Sequence, residues 1–257
     1  MTINSKPQEV ERISFIGCPF DRMTQSEVLA RFGKRTGSSP FSFVVTPNVD
    51  HVVTVNQDKS GRLRRIYDQA ELSLCDSRIV KKLAKSAGID LPLVTGSDLS
   101  VTIVRDLLQD GDRVSVIGLE PDDLDVLRSM FPHVTFDHHS PPFGFLDRPE
   151  ELQKVIDFIE AAPRRFHFLS IGAPKSEIVA SIVTERGRAT GTALCCGASL
   201  LFLCGTLKRA PQIIQRLHLE WLFRLASEPR RLFHRYVIKG PAIFGYFLSR
   251  SRFDAKR

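Results

Sequence analysis

A chain of 257 residues, 42% of them hydrophobic, carries enough apolar material for a packed core, so disorder is not its default state. No apolar run approaches the roughly 18 residues that crossing a bilayer requires, and the polar first ten residues lack the apolar stretch of a secretory leader, so a cytoplasmic protein is expected. The net charge of +7 is unevenly placed: residues 206–257 hold twelve Lys and Arg against three Asp and Glu, which is +9 there and −2 over the first 205 residues. A basic tail on a near-neutral body points to an anionic partner, whether a membrane surface, a diphosphate or a nucleic acid.

In chain order, a short apolar stretch at 13–16 precedes Thr24-Gln-Ser-Glu27, a capping-box pattern that opens a helix over 28–32. A strand over 41–45 ends in Thr46-Pro-Asn48, and helical segments are expected over 52–58 and 62–70. The strand over 71–75 delivers Asp76 at its C-terminal end. A helix follows over 80–87, and Ser97 or Asp98 is positioned to cap another over 99–108. From residue 113 the alternation is regular, with strands over 114–117 and 134–136 and helices over 122–130 and 150–161. His138 and His139 fall in the loop after the second of these strands.

Two strand-to-helix turns follow. The apolar run 166–171 stops at Gly172, with Pro174 at a first-turn position of the next helix and Glu177 inside it. The run 192–196 stops at Gly197. Strands alternating with helices in this way predict a parallel α/β sheet, whose ligands bind beyond the C-terminal strand edge, near helix N-termini. The alternation ends after Gly205, and the remainder reads as a helical, basic, aromatic appendage. The expected organisation is a core over 1–205, with an N-terminal α/β lobe to about residue 110 and a Rossmann-like lobe from 111, followed by the appendage over 206–257.

The five cysteines show neither a C-x-x-C pair nor zinc-ligand spacing and read as reduced core residues. Neither the dinucleotide fingerprint G-x-G-x-x-G nor the phosphate loop G-x-x-x-x-G-K-[ST] is present, which argues against nicotinamide redox chemistry and ATP hydrolysis. Asp137-His138-His139 is a poor metal site, because adjacent residues on an extended chain point to opposite faces. Asp76 is either a helix cap or a functional acid. The second reading gains from Thr46 and Asn48, which end the preceding strand in the same way and bring polar groups to the same edge. Arg209, Arg224, Arg231 and Arg235, interleaved with aromatic residues, suit either a packed amphipathic surface or a grip on a diphosphate at a lipid interface.

Several stretches together resemble the WecG/TagA/CpsF glycosyltransferases. The family's Thr-x-Asn segment is similar to Thr46-Pro-Asn48, its Ala-Asp-Gly segment to Cys75-Asp76-Ser77, and its Gly-Ser-Asp-Leu segment to residues 96–99. Its Gly-x-Pro-x-Gln-Glu turn is similar to residues 172–177, with Ser176 where Gln is usual. Its Arg-Ala-Pro, Glu-Trp, Arg-Leu, Glu-Pro-x-Arg and Arg-Tyr series is matched at 209–211, 220–221, 224–225, 228–231 and 235–236. Ser77, Ile79 and Leu201 also depart from the family pattern, and with Ser176 they bear on which nucleotide sugar is used.

The resemblance implies a Rossmann-like core and a metal-independent, inverting transfer with no cofactor. The sugar, an N-acetylhexosamine, its uronic acid or glucuronic acid, moves from a UDP-sugar to an undecaprenyl-diphosphate-linked saccharide in surface polysaccharide synthesis. It further implies Asp76 as the base, and Thr46, Asn48, Gly172, Pro174, Glu177, Gly197, Arg209, Arg224 and Arg231 as substrate contacts. The appendage would associate with the inner face of the membrane at its anionic surface; a homo-oligomer stays open, and no nucleic acid is expected. The alternative reading is a non-catalytic nucleotide- or nucleic-acid-binding module.

Overall fold

A computed structural model describes residues 10–207, 211, 214 and 220–254. Strands β1 (Arg12–Phe15) and β2 (Cys18–Asp21) form an antiparallel hairpin. Helix α1 (Gln25–Phe32) starts three residues earlier than its apolar pattern suggests, with the expected capping box between Thr24 and Glu27 in place. Then come β3 (Ser42–Val45), α2 (Val49–Gln57), α3 (Arg62–Gln69), β4 (Leu72–Ser73), α4 (Arg78–Ser86) and α5 (Gly96–Thr102), which runs into a π-helical turn, Ile103–Leu107. The regular half supplies β5 (Arg113–Ile117), α6 (Pro121–Met130), β6 (Thr135–His139), α7 (Pro149–Glu160), β7 (Phe166–Leu169), α8 (Lys175–Arg186), β8 (Thr192–Cys195) and α9 (Ser199–Cys204).

Six strands form one parallel sheet in the order β4-β3-β8-β7-β5-β6, flanked by helices, a Rossmann-like α/β fold. Because strand side chains alternate between faces, the sheet feeds two cores. Phe43, Val45, Ile117, Leu169 and Ala193 pack beneath α2, α3, α7 and α8. Val44, Val114, Val116, Phe166, Phe168 and Leu194 pack against α1, α5, α6 and α9. The expected boundary near residue 110 falls between the π-helical turn and β5, and the sheet takes strands from both sides of it, β3 pairing directly with β8.

The β1–β2 hairpin covers the free edge beside β4. Asp21 accepts a hydrogen bond from the Ser73 backbone N–H at 2.7 Å while forming an ion pair with Arg12 at 2.7 Å, so an exposed ladder edge is closed. Four cysteines are buried and Cys204 is half-buried, all of them free.

The structure differs from the sequence expectations in four places near strand ends. β4 spans Leu72–Ser73 and not 71–75, so Asp76 follows the strand by three residues. Thr95, not Ser97 or Asp98, caps α5, its Oγ1 accepting from the Asp98 N–H at 3.0 Å, so this helix begins at Gly96. His138 and His139 lie on β6 and not in a loop, at the sheet edge where polar residues are tolerated. Pro174 is the N-cap of α8, one position before the first turn, and its peptide bond to Ala173 is cis.

The appendage adds α10 (Glu220–Ser227), α11 (Pro229–Phe233), a π-helix (His234–Lys239) and α12 (Ala242–Asp254). It docks on the body through Leu232 and Ile243, both almost fully buried, and through an edge-on contact of Phe247 with Phe15. Phe233, Val237, Ile238, Phe244 and Leu248 face outward, with Ile238 and Leu248 each 60% exposed.

Candidate active site

A cavity of about 450 Å3 opens along the C-terminal edge of the sheet. One wall is made by strand ends and the turns after them: Thr46, Asn48, Asp76, Gly172, Glu177 and Gly197. The other comes from the appendage, where Phe223, Leu232, Arg235 and Tyr236 close over the opening. Parallel strands place all their C-terminal ends on one side, so residues as distant in sequence as Thr46 and Gly197 meet here without any local signal.

Asp76, three residues beyond β4, is half-buried. Its backbone N–H donates to the Pro47 carbonyl at 3.1 Å, and its Oδ2 accepts from the Gly96 N–H at 3.3 Å. Helix capping near Arg78 is performed by Ser77, whose Oγ accepts from the Val80 N–H at 3.2 Å, which leaves Asp76 turned to the cavity and not to α4. Gly96 is where a side chain would not fit. A Cβ there would lie 2.7 Å from Thr46 Oγ1 and 3.6 Å from Asp76 Oδ2, so the missing methyl lets the first turn of α5 approach both residues.

Asn48 caps α2, its Oδ1 accepting from the Asp50 and His51 N–H groups at 3.0 and 3.4 Å, and its amide NH2 is the part left to face the cavity. In return the Asn48 N–H donates to His51 Nδ1 at 3.0 Å. A ring that accepts at Nδ1 carries its proton on Nε2 when neutral. His51 is neutral near pH 7, because burial, then Arg235, push its pKa down to about 4.

Gly172, at φ +76°, makes the turn from β7 into α8 in a conformation that side-chain-bearing residues rarely adopt. Ser176 also lines the cavity, and its Oγ donates to the Leu169 carbonyl at 3.1 Å. Glu177, 2% exposed, carries the buried carboxyl of the site. Tyr67 donates to its Oε1 at 3.4 Å, and His51 Nε2 stands 3.9 Å from the same oxygen. Oε2 has no hydrogen-bond partner among the described residues. Burial pushes the Glu177 pKa up to about 7. With its neighbour His51 driven to the neutral form, the 3.9 Å approach is not an ion pair near neutral pH.

Asp50, the residue between the Asn48 cap and His51, ties the two walls together. Arg235 reaches its Oδ2 at 3.0 Å, and Lys239 reaches its Oδ1 at 3.0 Å while donating to Thr54 Oγ1 at 2.6 Å. Pro174 does not line the main cavity. It borders an adjoining one of about 100 Å3 with Asp50, His51, Tyr67 and Lys239. Arg209 lies outside the described residues, as do the side chains of Arg224 and Arg231, whose backbones belong to α10 and α11. Among the described residues no group of three or more His, Cys, Asp or Glu converges as metal ligands would. Asp137 pairs with Arg113 and Arg164, His138 Nε2 meets the Gly118 and Leu119 carbonyls, and His139 lies against Phe158, so that trio diverges as an extended strand requires.

Tyr67, His51 and Asp50 are not marked as site residues by the sequence, whereas Arg235 belongs to the arginine series expected to grip a diphosphate. The only local signal was the run Asn48-Val-Asp50-His51, whose one-turn helical spacing places a second polar layer behind the cap.

Comparison with known proteins agrees with this geometry. Two curated relatives, from Staphylococcus aureus strains MW2 and NCTC 8325, are each 22% identical to the chain over 269 residues, covering 100% of it and 99% of themselves. Both are named N-acetylglucosaminyldiphosphoundecaprenol N-acetyl-beta-D-mannosaminyltransferase. The model of the glycosyl transferase WecG/TagA/CpsF family matches residues 13–257, and the chain belongs to that family of transferases.

Proposed function

We propose that this protein is an inverting glycosyltransferase that moves a sugar from a UDP-sugar to a polyprenyl-diphosphate-linked saccharide at the inner face of the cell membrane. The observation that carries the reading is the pairing of walls. A carboxylate just past a strand end, Asp76, faces a cavity whose opposite side holds an arginine and aromatics from a basic appendage. Asp76 takes the proton of the acceptor hydroxyl as its oxygen attacks the anomeric carbon from the side opposite the departing UDP. Its hydrogen bond from the Gly96 N–H orients the carboxylate at the cavity edge. The leaving diphosphate is stabilised by the N-terminus of α8, the Gly197 turn, and the appendage arginines, with Arg209, Arg224 and Arg231 joining Arg235. Thr46 and the Asn48 amide position sugar hydroxyls. The donor is an N-acetylhexosamine, its uronic acid or glucuronic acid, and the S. aureus relatives favour the first.

The outward apolar set, Phe233, Val237, Ile238, Phe244 and Leu248, lies on a segment with a charge of +9. No helix among the described residues is long and apolar enough to cross a membrane. Such a surface suits peripheral binding to an anionic leaflet, where each basic residue contributes about 1 kcal/mol.

The test is UDP release from a panel of UDP-sugars, with and without a polyprenyl-diphosphate-N-acetylglucosamine acceptor. Acceptor-dependent release of UDP with one of them is expected. No release with any donor, alongside salt-sensitive oligonucleotide binding, would replace the enzyme reading with the binding module. Co-sedimentation with anionic vesicles tests the membrane part: Ile238→Ser with Leu248→Ser should weaken it while leaving turnover of a detergent-soluble acceptor in place.

A further inference from the structure

We infer that α4 (Arg78–Ser86) is a second membrane contact, a stripe of cations on the body that meets anionic lipid headgroups beside the cavity. This rests on the proposed function, because a lipid-linked acceptor reaches Asp76 only if the rim of the cavity comes to the bilayer.

α4 belongs to that rim. The chain leaves the body after Cys75 and returns at Val94, whose N–H donates to the Cys75 carbonyl at 2.9 Å. Asp76 at one end of this excursion and Ser97 just past the other both line the cavity. Ser77 caps the helix, so its first turn starts next to the proposed base. Val80 and Ala84 are buried and turn to the core. At about 3.6 residues per turn, Arg78, Lys81, Lys82 and Lys85 fall in one stripe roughly 100° wide on the side away from them. Arg78, Lys82 and Lys85 are exposed and Lys81 is half-buried. None of the four has a side-chain hydrogen bond or ion pair among the described residues.

The stripe is unfavourable to the helix that carries it. Its members stand at i,i+3 and i,i+4 spacings, where like charges repel. The first turn holds Arg78 and no acid, against the positive end of the helix dipole, whereas α6 and α7 open with Asp122, Asp123, Glu150 and Glu151. Four cations and no anion over nine residues stand on a body whose first 205 residues sum to −2. An anionic leaflet turns this repulsion into attraction, because it offers negative charge along the whole length of the stripe. Ile79, exposed on the flank of the stripe, adds an apolar contact. Single-stranded nucleic acid fits less well, since α4 has no aromatic residue on which a base could stack.

The experiment is co-sedimentation of full-length protein with phosphatidylglycerol–phosphatidylcholine vesicles at low salt. The test variant is Lys81→Gln/Lys82→Gln/Lys85→Gln. Glutamine keeps the helix preference of lysine and removes the repulsion, so the melting temperature should stay at or above that of the wild type. The control, Lys59→Gln/Arg62→Gln/Arg65→Gln, takes the same charge from three exposed residues at the start of α3. Partitioning of the α4 variant should fall on the order of 100-fold, at about 5-fold per charge removed, and that of the control far less. Turnover of a detergent-soluble acceptor should stay within about twofold of wild type in both, since the stripe lies outside the cavity. An α4 variant that sediments like the wild type, or a control that loses as much, overturns the inference while leaving the appendage reading intact. An α4 variant that keeps vesicle binding but loses affinity for a single-stranded oligonucleotide assigns the stripe to nucleic acid instead. Wild type that ignores the vesicles yet releases UDP with a detergent-soluble acceptor sinks this inference and the membrane part of the proposed function, and leaves the transferase standing.

Discussion

The two walls of the cavity are built by opposite means. The sheet wall consists of strand ends and first helical turns, so Thr46, Asp76 and Glu177 are fixed by backbone that is hydrogen-bonded on both sides or buried in a core. Among the described residues the appendage wall is held by Leu232 and Ile243 in the body, by Ala242, Tyr246 and Phe247 against the core, and by the pairing of Arg235 and Lys239 with Asp50. The difference teaches a division of labour. On the proposed function, proton transfer asks for a base held as firmly as the sheet wall holds Asp76, and the grip on a lipid-linked diphosphate falls to the charge of the appendage.

The comparison is broken most severely on the rigid side. Asp76→Asn keeps the shape and the Gly96 contact but removes the basic oxygen, so transfer should fall 10²–10⁴-fold, the usual range for loss of a general base. Anionic-vesicle binding, which the proposed function assigns to the other wall, should not change. Steady-state UDP release and co-sedimentation measure the two separately, and a variant with more than a tenth of wild-type turnover would remove Asp76 from the mechanism.

Next in size is a stability effect within the same wall. The Glu177 pKa rises from an ordinary 4.5 to about 7 on folding, so the folded chain binds more protons than the unfolded one between those values. Its contribution is therefore fully present below pH 4.5 and is lost as pH rises through 7. Chemical denaturation of wild type and Glu177→Gln in parallel should show the wild type losing on the order of 3 kcal/mol relative to the variant from pH 4.5 to 7.5. A difference that stays constant over that window would mean the carboxyl is already ionised in the folded protein.

The junction between the walls comes third. Asp50→Ala removes the shared partner of Arg235 and Lys239, leaving two half-buried cations facing each other. We expect kcat/KM to fall roughly 10–50-fold, about 1.4–2.3 kcal/mol. The melting temperature should drop only slightly, because neither hydrophobic core is touched. Unaltered kinetics would show that the appendage keeps its place without this residue.

Much of the rigid wall was legible in the sequence, and little of the junction was. The strands ending at Thr46, Gly172 and Gly197 announce themselves as short apolar runs stopped by turn residues, and parallel pairing then brings their ends together whatever their separation. Where local signals competed, the reading slipped. Thr95, Ser97 and Asp98 are all good caps, and only the fold selects Thr95. Strand β6 extends through Asp137, His138 and His139 because an edge strand can carry polar residues that a buried one cannot, and β2 went unread because Cys18-Pro-Phe-Asp21 has no alternation. Tyr67 and Glu177, 110 positions apart, meet only through the packing of α3 on α8, and Asp50 pairs with Arg235 across 185 positions.

The smallest effect tests how closely the rigid wall is set. Gly96 has no unusual φ, so alanine there meets no backbone strain, and as the first residue of α5 it gains up to about 1 kcal/mol of helix preference. Against that stands one clash, 2.7 Å between the new Cβ and Thr46 Oγ1, which a modest rotation of the threonine relieves. The two contributions nearly offset, so Gly96→Ala should unfold at the wild-type denaturant midpoint. The rotation nonetheless moves Thr46 and crowds Asp76 Oδ2, 3.6 Å from the same atom, so the base and its neighbour no longer meet the acceptor at the right angle. A roughly 3–10-fold loss of kcat, 0.7–1.4 kcal/mol, with KM for the donor little altered, is the expected signature. A variant that lost stability but kept kcat would assign Gly96 to packing alone and leave Thr46 without a part in positioning the base.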